Sequence, residues 1–336
     1  MKKTYIVAEA GVNHNGKIKL AKKMIVEAKK FGASAIKFQI FDSKELATDR
    51  AKKAKYQINK RKGTRNENQL NMLSKLALKK NEFNFLKNFC KKKKIKFFCS
   101  PFDKESLKFL IKIGVKDIKL ASGEINNIPL LRLTGKLASK VIISSGMSGI
   151  NEIKLAVKTL LKSGLKLKNL TILHCTSAYP APLKELNLKA IFKLKKIFNC
   201  KIGYSDHTID KIVPSIAVSL GAEVIEKHFT LNRNLIGPDH KTSVTPSEFK
   251  EIISNIRKTE LALGEEKKQI TISEKKIIRL VRKSIVAKKN IKINEKFSEK
   301  NITTKRPADG ISPVKWDQVI GKKAKKNFTI NEKIKI

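Results

Sequence analysis

Short apolar, β-branched runs recur along the chain, separated by stretches with the 3.6-residue periodicity of amphipathic helices. The runs are TYIVAEAG (4–11), AIKFQIF (35–41), KFFCSPF (96–102), DIKLASG (117–123), VIISSGM (141–147), LTILHCT (170–176), KIGYSDH (201–207) and VIEKHFT (224–230). Helical patterns lie between them, as in KLAKKMIVEAKKFG (19–32), SLKFLIKIG (106–114), NEIKLAVKTLLKSG (151–164) and VPSIAVSLG (213–221). Each of these closes on a glycine, the residue that helix C-termini prefer. Eight strands alternating with helices predict a parallel (β/α)8 barrel, the TIM-barrel form of the α/β class. An open doubly wound sheet is the competing architecture, but it would normally announce a glycine-rich phosphate turn after its first strand.

Near residue 265 the texture changes. EKKQITISEKKIIRLVRK (266–283) reads as a charged connector, and the remainder carries brief strand-like pieces between many turns. The expected organisation is a barrel domain over 1–265, a linker over 266–282 and a small β-rich module over 283–336. A module of that size is marginal alone and is expected to dock on something.

The predicted strands share a further property: each ends in polar or small residues. These are Glu9, Lys37 and Gln39, Ser100, Ser122 and Glu124, Ser144 and Ser145, His174 and Thr176, Ser205 and His207, and Glu226 and His228. Strand side chains alternate in direction, so Lys37 and Gln39, or Ser205 and His207, point to the same side. In a barrel the C-terminal strand ends form one mouth, where these groups converge. A purely structural barrel has no reason to gather a carboxylate, lysines and histidines there.

Charge alters this picture little. The chain has 74 Lys+Arg against 29 Asp+Glu, a formal net charge of +45. The lysines are spread along the whole chain, mostly between apolar residues, and only Lys91–Lys94 forms a compact run. No zinc-finger, RNP or basic-zipper motif accompanies them, so solvated helix faces explain the lysines better than a nucleic-acid surface. A non-catalytic basic protein that binds nucleic acid is the rival reading from another class. The excess charge still favours the arrival of anionic substrates. Cys90, Cys99, Cys175 and Cys200 show no CxxC spacing, which argues against a zinc ribbon and a disulfide framework. No apolar stretch is long enough to span a membrane, and Glu9 interrupts the first apolar run too early for a signal core. The expected location is the cytoplasm.

His207 and His228, at the ends of adjacent predicted strands, are either core residues or ligands of one divalent ion. Neutral imidazoles with carboxylates nearby and no thiolate in the set suit Mn²⁺ or Mg²⁺ better than structural zinc. His14 and His240 fall in loops, and His174 lies inside a strand as an expected core residue. Lys37 and Lys119 either form salt bridges at the barrel top with Glu9 or Glu124, or bind a small, multiply charged anion with help from Ser100, Ser122 and Ser205. A metal, two lysines and several hydroxyls suit a phosphorylated carboxylate better than a neutral sugar.

An ordered set of motifs then carries a family resemblance: VAEAGVNHNG (7–16), AIKFQ (35–39), SPF (100–102), KLASGE (119–124), SSGM (144–147), LHCTSAYPAP (173–182), GYSDHT (203–208), IEKHFT (225–230) and GPDHK (237–241). Together they resemble the bacterial N-acetylneuraminate (sialic acid) synthases. KSIVAK (283–288), NITTKRP (301–307) and GISPVKW (310–316) resemble that family's C-terminal antifreeze-like (SAF, β-clip) domain. The resemblance covers essentially the whole chain. It implies condensation of phosphoenolpyruvate with N-acetylmannosamine and water, giving N-acetylneuraminate and phosphate.

It also implies roles for individual residues. His207 and His228 would hold Mn²⁺ and act in catalysis with Glu9 and Glu124. Lys37, Lys119, Ser100, Ser122 and Ser205 would bind phosphoenolpyruvate. Gln39, Glu124, Tyr179 and Asp239 would contact the sugar. Arg306 would reach the N-acetyl group in the partner subunit of a domain-swapped homodimer, with no role for membrane or specific nucleic acid. Ser100 stands in place of a family Thr and keeps the hydroxyl, whereas Ser177 replaces an Asn found in some members. No sugar contact is assigned to the loop 55–69. The sister alternatives are legionaminate or pseudaminate synthases, which take a diacetamido-trideoxy hexose. Asp239 favours sialic or legionaminic over pseudaminic acid. A phosphorylated amino sugar also suits the positive charge, and a catalytically dead sugar-binding barrel would have no need of all these groups.

Overall fold

A computed structural model describes residues 3–54, 57–58 and 67–336. Strands β1 (Tyr5–Gly11), β2 (Ala35–Ile40), β3 (Lys96–Pro101), β4 (Asp117–Leu120), β5 (Lys140–Ser144), β6 (Leu170–Cys175), β7 (Lys201–Asp206) and β8 (Val224–His228) follow one another around a closed barrel. All pairings are parallel, and β8 closes on β1 with Glu9 opposite His228. Helix α1 (Ile18–Lys30) joins β1 to β2; α2 (Ser43–Leu46), α3 (Gln69–Leu76) and α4 (Lys80–Lys92) lie between β2 and β3. The barrel is completed by α5 (Lys104–Lys112), α6 (Ile128–Leu137), α7 (Ile150–Lys162), α8 (Ala190–Phe198), α9 (Val213–Ser219) and α10 (Pro246–Leu263).

The periodicity of the sequence explains the layers. Helix α1 buries Ala21, Met24, Ile25 and Ala28, spaced three and four apart, and leaves Lys19, Lys23, Lys29 and Lys30 in water. The outward residues of the strands, among them Ile6, Ile36, Phe38, Ile118, Ile143, Ile172, Ile202 and Ile225, meet such helix faces in one large core. The inward residues divide into two levels. Val7, Ala35, Phe98, Ile142, Leu173 and Val224 form an apolar plug inside the barrel. Two residues further along the same strands stand Glu9, Lys37, Ser100, Ser144, Cys175 and Glu226, so a polar level lies directly above the plug.

Gly203 belongs to the plug and has no room for a side chain. A Cβ there would lie 2.4 Å from the Val224 carbonyl oxygen and 2.6 Å from Leu173 Cδ2. Gly203→Ala is therefore expected to cost about 1–3 kcal/mol by overpacking, read as a lower urea midpoint with an unchanged slope.

One expectation needs adjusting. The fourth strand, expected over 117–123, stops at Leu120, and Ser122–Glu124 forms a 3₁₀ turn instead. The chain must leave the barrel wall there to reach α6, and the small Ser122 and Gly123 permit the turn. The loop 55–69 after β2 falls mostly outside the described residues.

Contacts divide the chain into two compact units, Met1–Gly264 and Glu265–Ile336. The second contains α11 (Ile272–Val281), within the stretch expected as a connector, and the antiparallel pair β9 (Ser284–Ala287) and β10 (Ile302–Lys305), followed by α12 (Trp316–Val319). Ile285, Ile291, Phe297, Ile302, Val319, Phe328 and Ile334 give this unit its own core. Among the described residues no helix is long and apolar enough to cross a membrane.

Candidate active site

The polar level of the barrel holds a buried charge cluster. Lys37 Nζ lies 2.9 Å from Glu226 Oε1 and 3.5 Å from Glu9 Oε2. Lys119 Nζ lies 3.6 Å from the same Glu226 oxygen and donates to Ser144 Oγ at 2.7 Å. Ser205 Oγ donates to Glu226 Oε1 at 3.1 Å, and Gln39 Nε2 donates to Glu9 Oε1 at 3.2 Å. Both lysines and both carboxylates are less than 5% exposed.

Their environments push the two carboxylates apart. Burial would raise Glu226, but Lys119 and Lys37 override it and hold its carboxyl at about 2. Burial pushes Glu9 up to about 7, against the opposing pull of Lys37. Burial also brings Lys119 down to about 8, while for Lys37 the desolvation is overcome by Glu226 and Glu9, leaving it raised. Near neutral pH the cluster holds two ammonium groups, one firmly ionised carboxylate and one carboxyl poised to exchange a proton. A surplus of positive charge in a dry site is suited to an anion. Unsatisfied atoms point the same way: Ser100 Oγ, Glu9 Oε2 and Glu226 Oε2 are buried without hydrogen-bond partners. Buried polar atoms are seldom left so unless a ligand or water completes them.

The two histidines stand beside this cluster, with ring centroids 5.5 Å apart. His207 Nδ1 lies 2.8 Å from the Thr176 carbonyl oxygen. Only an N–H can serve that acceptor, so Nε2 carries the lone pair and accepts from Tyr179 Oη at 3.0 Å. The Tyr179 ring stacks on His207, with centroids 4.1 Å apart. His228 Nδ1 is buried with no partner. Burial lowers His207 to about 4 and His228 well below the ordinary imidazole value, so both rings are neutral at pH 7. A neutral pair, one ring oriented by a carbonyl and the other with an unused nitrogen, could hold a divalent ion. Among the described residues no group of three or more His, Cys, Asp or Glu forms a complete cage. Held by these two ring nitrogens, such an ion would take its remaining ligands from water or substrate. The nearby Cys175 thiol, 3.7 Å from His207 Nδ1, is pushed up by burial and stays protonated.

A cavity of about 380 Å³ opens over these groups. Glu9, Lys37, Gln39, Ser100, Lys119, Ser122, Tyr179, Ser205, His207, His228 and Asp239 all line it. One wall is apolar, made by Val12, Met72, Leu73, Leu76 and Phe102, most of it supplied by α3. A larger hollow of about 660 Å³ lies beside the ends of β5 and β6, against α7 and α8. Its size does not make it the site, because the half-buried His174 and the buried Ser145 that line it are already paired: His174 Nε2 with the Leu186 carbonyl and Ser145 Oγ with that of Leu173.

The His240 ring is structural. His240, fully buried, pairs through Nδ1 with Thr230 Oγ1 at 2.7 Å and through Nε2 with Asn15 Oδ1 at 3.1 Å. Asn13 donates to the Phe229 carbonyl and to Ser243 Oγ, and Ser243 Oγ donates at 2.6 Å to the backbone oxygen of Asp239. The GVNHNG and GPDHK motifs thereby hold each other and place Asp239 at the rim, where burial pushes its carboxyl up to about 6.

One sequence expectation falls outside the cluster. Glu124 does not line the cavity, and its Oε2 accepts from Asn127 Nδ2 at 2.7 Å. It forms no salt bridge with either lysine; Glu226 takes that place. Arg306 is exposed on the second unit. Conversely, the strand-end pattern marks Glu226 and Ser144 as polar but assigns them no role. The available signal was Glu226 standing two residues before His228, on the same face of β8.

Residues 24–268 match the NeuB family, and residues 282–335 match the SAF domain. The chain is 49% identical over 336 residues to the N,N'-diacetyllegionaminic acid synthase of Campylobacter jejuni, covering 100% of each chain. With the enzyme of the same name from Legionella pneumophila it shares 39% identity over 327 residues, covering 97% of this chain and 91% of the other. It also resembles the crystal structure of N-acetylneuraminic acid synthetase from Leptospira borgpetersenii, at 37% identity and a TM-score of 0.72, over 82% of this chain and 90% of that one.

Proposed function

Because this chain belongs to the NeuB family of sugar-acid synthases, we propose that it condenses phosphoenolpyruvate with an open-chain acetamido sugar and water, releasing phosphate and a nonulosonic acid. The observation that carries the reading is the convergence of Lys37, Lys119, an unpartnered Ser100 hydroxyl and two neutral imidazoles in one cavity. The proposed sugar is 2,4-diacetamido-2,4,6-trideoxymannose, which makes the product a diacetyllegionaminic acid. That reverses the order given by the motifs, which placed N-acetylmannosamine first. Identity of 49% over the full length with a legionaminic acid synthase supports the change. So does the apolar wall of Met72, Leu73 and Leu76, which suits a deoxygenated carbon and acetyl methyls better than a row of hydroxyls.

In this reading Lys37 and Lys119 hold the carboxylate and phosphate of phosphoenolpyruvate, with Ser100, Ser122 and Ser205 donating to the remaining oxygens. His207 and His228 would hold Mn²⁺ or Mg²⁺, which when bound supplies Lewis-acid polarisation of the sugar's aldehyde oxygen. Phosphoenolpyruvate C3 forms the new bond to the aldehyde carbon as the C=O π pair moves onto the aldehyde oxygen, which takes a proton from solvent to become a hydroxyl, and positive charge develops at C2. Holding the two carbons together is the main contribution of the lysines. Water adds at C2, and Glu9, whose Oε2 has only the long 3.5 Å approach of Lys37 and whose pKa is about 7, takes the proton. The tetrahedral carbon then expels phosphate and becomes the product's ketone. Gln39, Tyr179 and Asp239 face the sugar.

The lowered Lys119 gives a pH prediction. A lysine with a pKa of about 8 is charged below that value and neutral above it. kcat/KM for phosphoenolpyruvate should fall as pH rises through about 8, and Lys119→Arg, permanently charged, should move that limb upward. An alkaline limb unmoved by the arginine would belong to another group.

The homodimer is part of the same proposal, with Arg306 contributed to the partner's sugar end. Arg306→Ala should raise KM for the sugar and leave that for phosphoenolpyruvate nearly unchanged; the opposite split would assign Arg306 to the other substrate. The choice of sugar is tested by kcat/KM for phosphate release with 2,4-diacetamido-2,4,6-trideoxymannose, N-acetylmannosamine and its 6-phosphate, each offered alone. The diacetamido sugar should lead by at least about 10-fold. A lead for N-acetylmannosamine would restore the sialic acid reading.

A further inference from the structure

One lysine in the barrel lies on the opposite side of the wall from the cavity. Lys227 alternates with Glu226 and His228 on β8, so its side chain points outward, into the layer where strands meet helices. Its neighbours in that layer are apolar, including Ile202, Tyr204 and Ile225, and only 1% of Lys227 is exposed. Directly across the β7–β8 pairing stands Asp206. The two charged residues immediately precede the two imidazoles, His207 and His228.

The ammonium group is fully used. Lys227 Nζ donates to Asp206 Oδ2 at 2.5 Å, to the Thr208 carbonyl oxygen at 2.5 Å and to Thr208 Oγ1 at 3.3 Å. The other carboxylate oxygen, Asp206 Oδ1, accepts from Thr208 N at 2.9 Å and from Tyr204 Oη at 3.4 Å. The residues before and after His207 are thus both fastened to one nitrogen atom, and that nitrogen belongs to the residue before His228. With three donors on three acceptors the lysine has none left for a substrate.

Stability does not account for this arrangement. Removing an ammonium and a carboxylate from water costs several kcal/mol each, and apolar pairs of similar volume commonly replace such bridges with no loss. What apolar residues cannot do is fix the β7 exit loop to β8 at a defined distance. We propose that the Asp206–Lys227–Thr208 cluster is a positioning device that sets the separation and tilt of the His207 and His228 rings, and so the affinity of the site for a divalent cation. The inference rests on the reading of those two imidazoles as the metal ligands. Asp206, Lys227 and Thr208 touch neither substrate nor metal; they act through the histidines.

The test is Mn²⁺ titration of the full chain, followed by the electron paramagnetic resonance signal of free aqueous Mn²⁺. The variant is Asp206→Leu/Lys227→Met, which replaces both charges with apolar groups. The double variant should fold and should bind phosphoenolpyruvate in EDTA as the wild type does, but its Kd for Mn²⁺ should rise about 10–100-fold, as when an outer-shell partner is lost. A folded double variant with wild-type Mn²⁺ affinity would overturn the inference. If it does not fold, Lys227→Gln serves: it keeps two N–H donors on a shorter, neutral side chain. Mn²⁺ affinity weakened by at least about threefold supports the device, and wild-type affinity overturns it. His207→Ala in the same titration separates the two levels of failure. Loss of Mn²⁺ there with normal binding in the double variant removes only the positioning role; normal binding in His207→Ala removes the metal reading itself.

Discussion

Replacing His207 with alanine should lower kcat by more than about 100-fold, beyond the loss typical of an outer-shell partner, while phosphoenolpyruvate still binds. The two halves of this result come from different parts of the cavity. The imidazole is neutral, its Nδ1 fixed on the Thr176 carbonyl, and its Nε2 free to be a ligand once Tyr179 releases it. Lys37 and Lys119 stand on β2 and β4, across the barrel from β7, and their direct partners are Glu226, Glu9 and Ser144 rather than His207. Binding of phosphoenolpyruvate in EDTA, measured by calorimetry, should therefore stay within about threefold of wild type, since residues without shared partners act nearly independently. Near-normal turnover with ordinary metal dependence would remove His207 from the chemistry.

Lys37→Met should be the second large effect, and it separates the two meanings a buried lysine can have. Truncating one partner of a buried, hydrogen-bonded charge pair costs roughly 2–5 kcal/mol, so kcat/KM for phosphoenolpyruvate should fall at least about 30-fold. The melting temperature should fall as well, because Glu226 and Glu9 lose their nearest cation. A second substitution tells the effects apart. In Lys37→Met/Glu226→Gln the carboxylate nearest Lys37 is neutralised and Glu9, already pushed up to about 7, can stay protonated, so the melting temperature should recover in part although Lys119 loses its counter-ion, while phosphoenolpyruvate binding should not recover. If both recover together, Lys37 is a structural bridge and the anion site lies elsewhere.

The barrel was legible in the chain because its two periodicities are physically enforced. Strand faces must alternate and helix faces must repeat every three to four residues for Met24, Ile25 and Ile36 to share a core. The mouth was legible for a related reason: Lys37 with Gln39, and Ser205 with His207, keep the period of two beyond the apolar plug. Other features depend on contacts that no local pattern specifies. Glu226 meets Lys37 because β8 closes on β1 and so stands near β2, which follows only from closure of the ring. Strand periodicity places Glu124 with the lysines, but the 3₁₀ turn at Ser122 breaks that period and turns it toward Asn127. The apolar wall of the cavity comes from α3, in a β2–β3 connection without strand-like spacing. The Asp206–Lys227 pair was hidden in plain motifs, GYSDHT and IEKHFT, where the histidines draw the eye and their outward neighbours do not.

The most direct test of the central claim follows the oxygen that bridges C2 and phosphorus in phosphoenolpyruvate. With that oxygen labelled as ¹⁸O, and with Mn²⁺ and 2,4-diacetamido-2,4,6-trideoxymannose present, the account predicts one nonulosonic acid without label and phosphate that carries it. Label retained in the sugar acid, or phosphate released with no carbon–carbon product, would contradict attack through C3 followed by addition of water at C2.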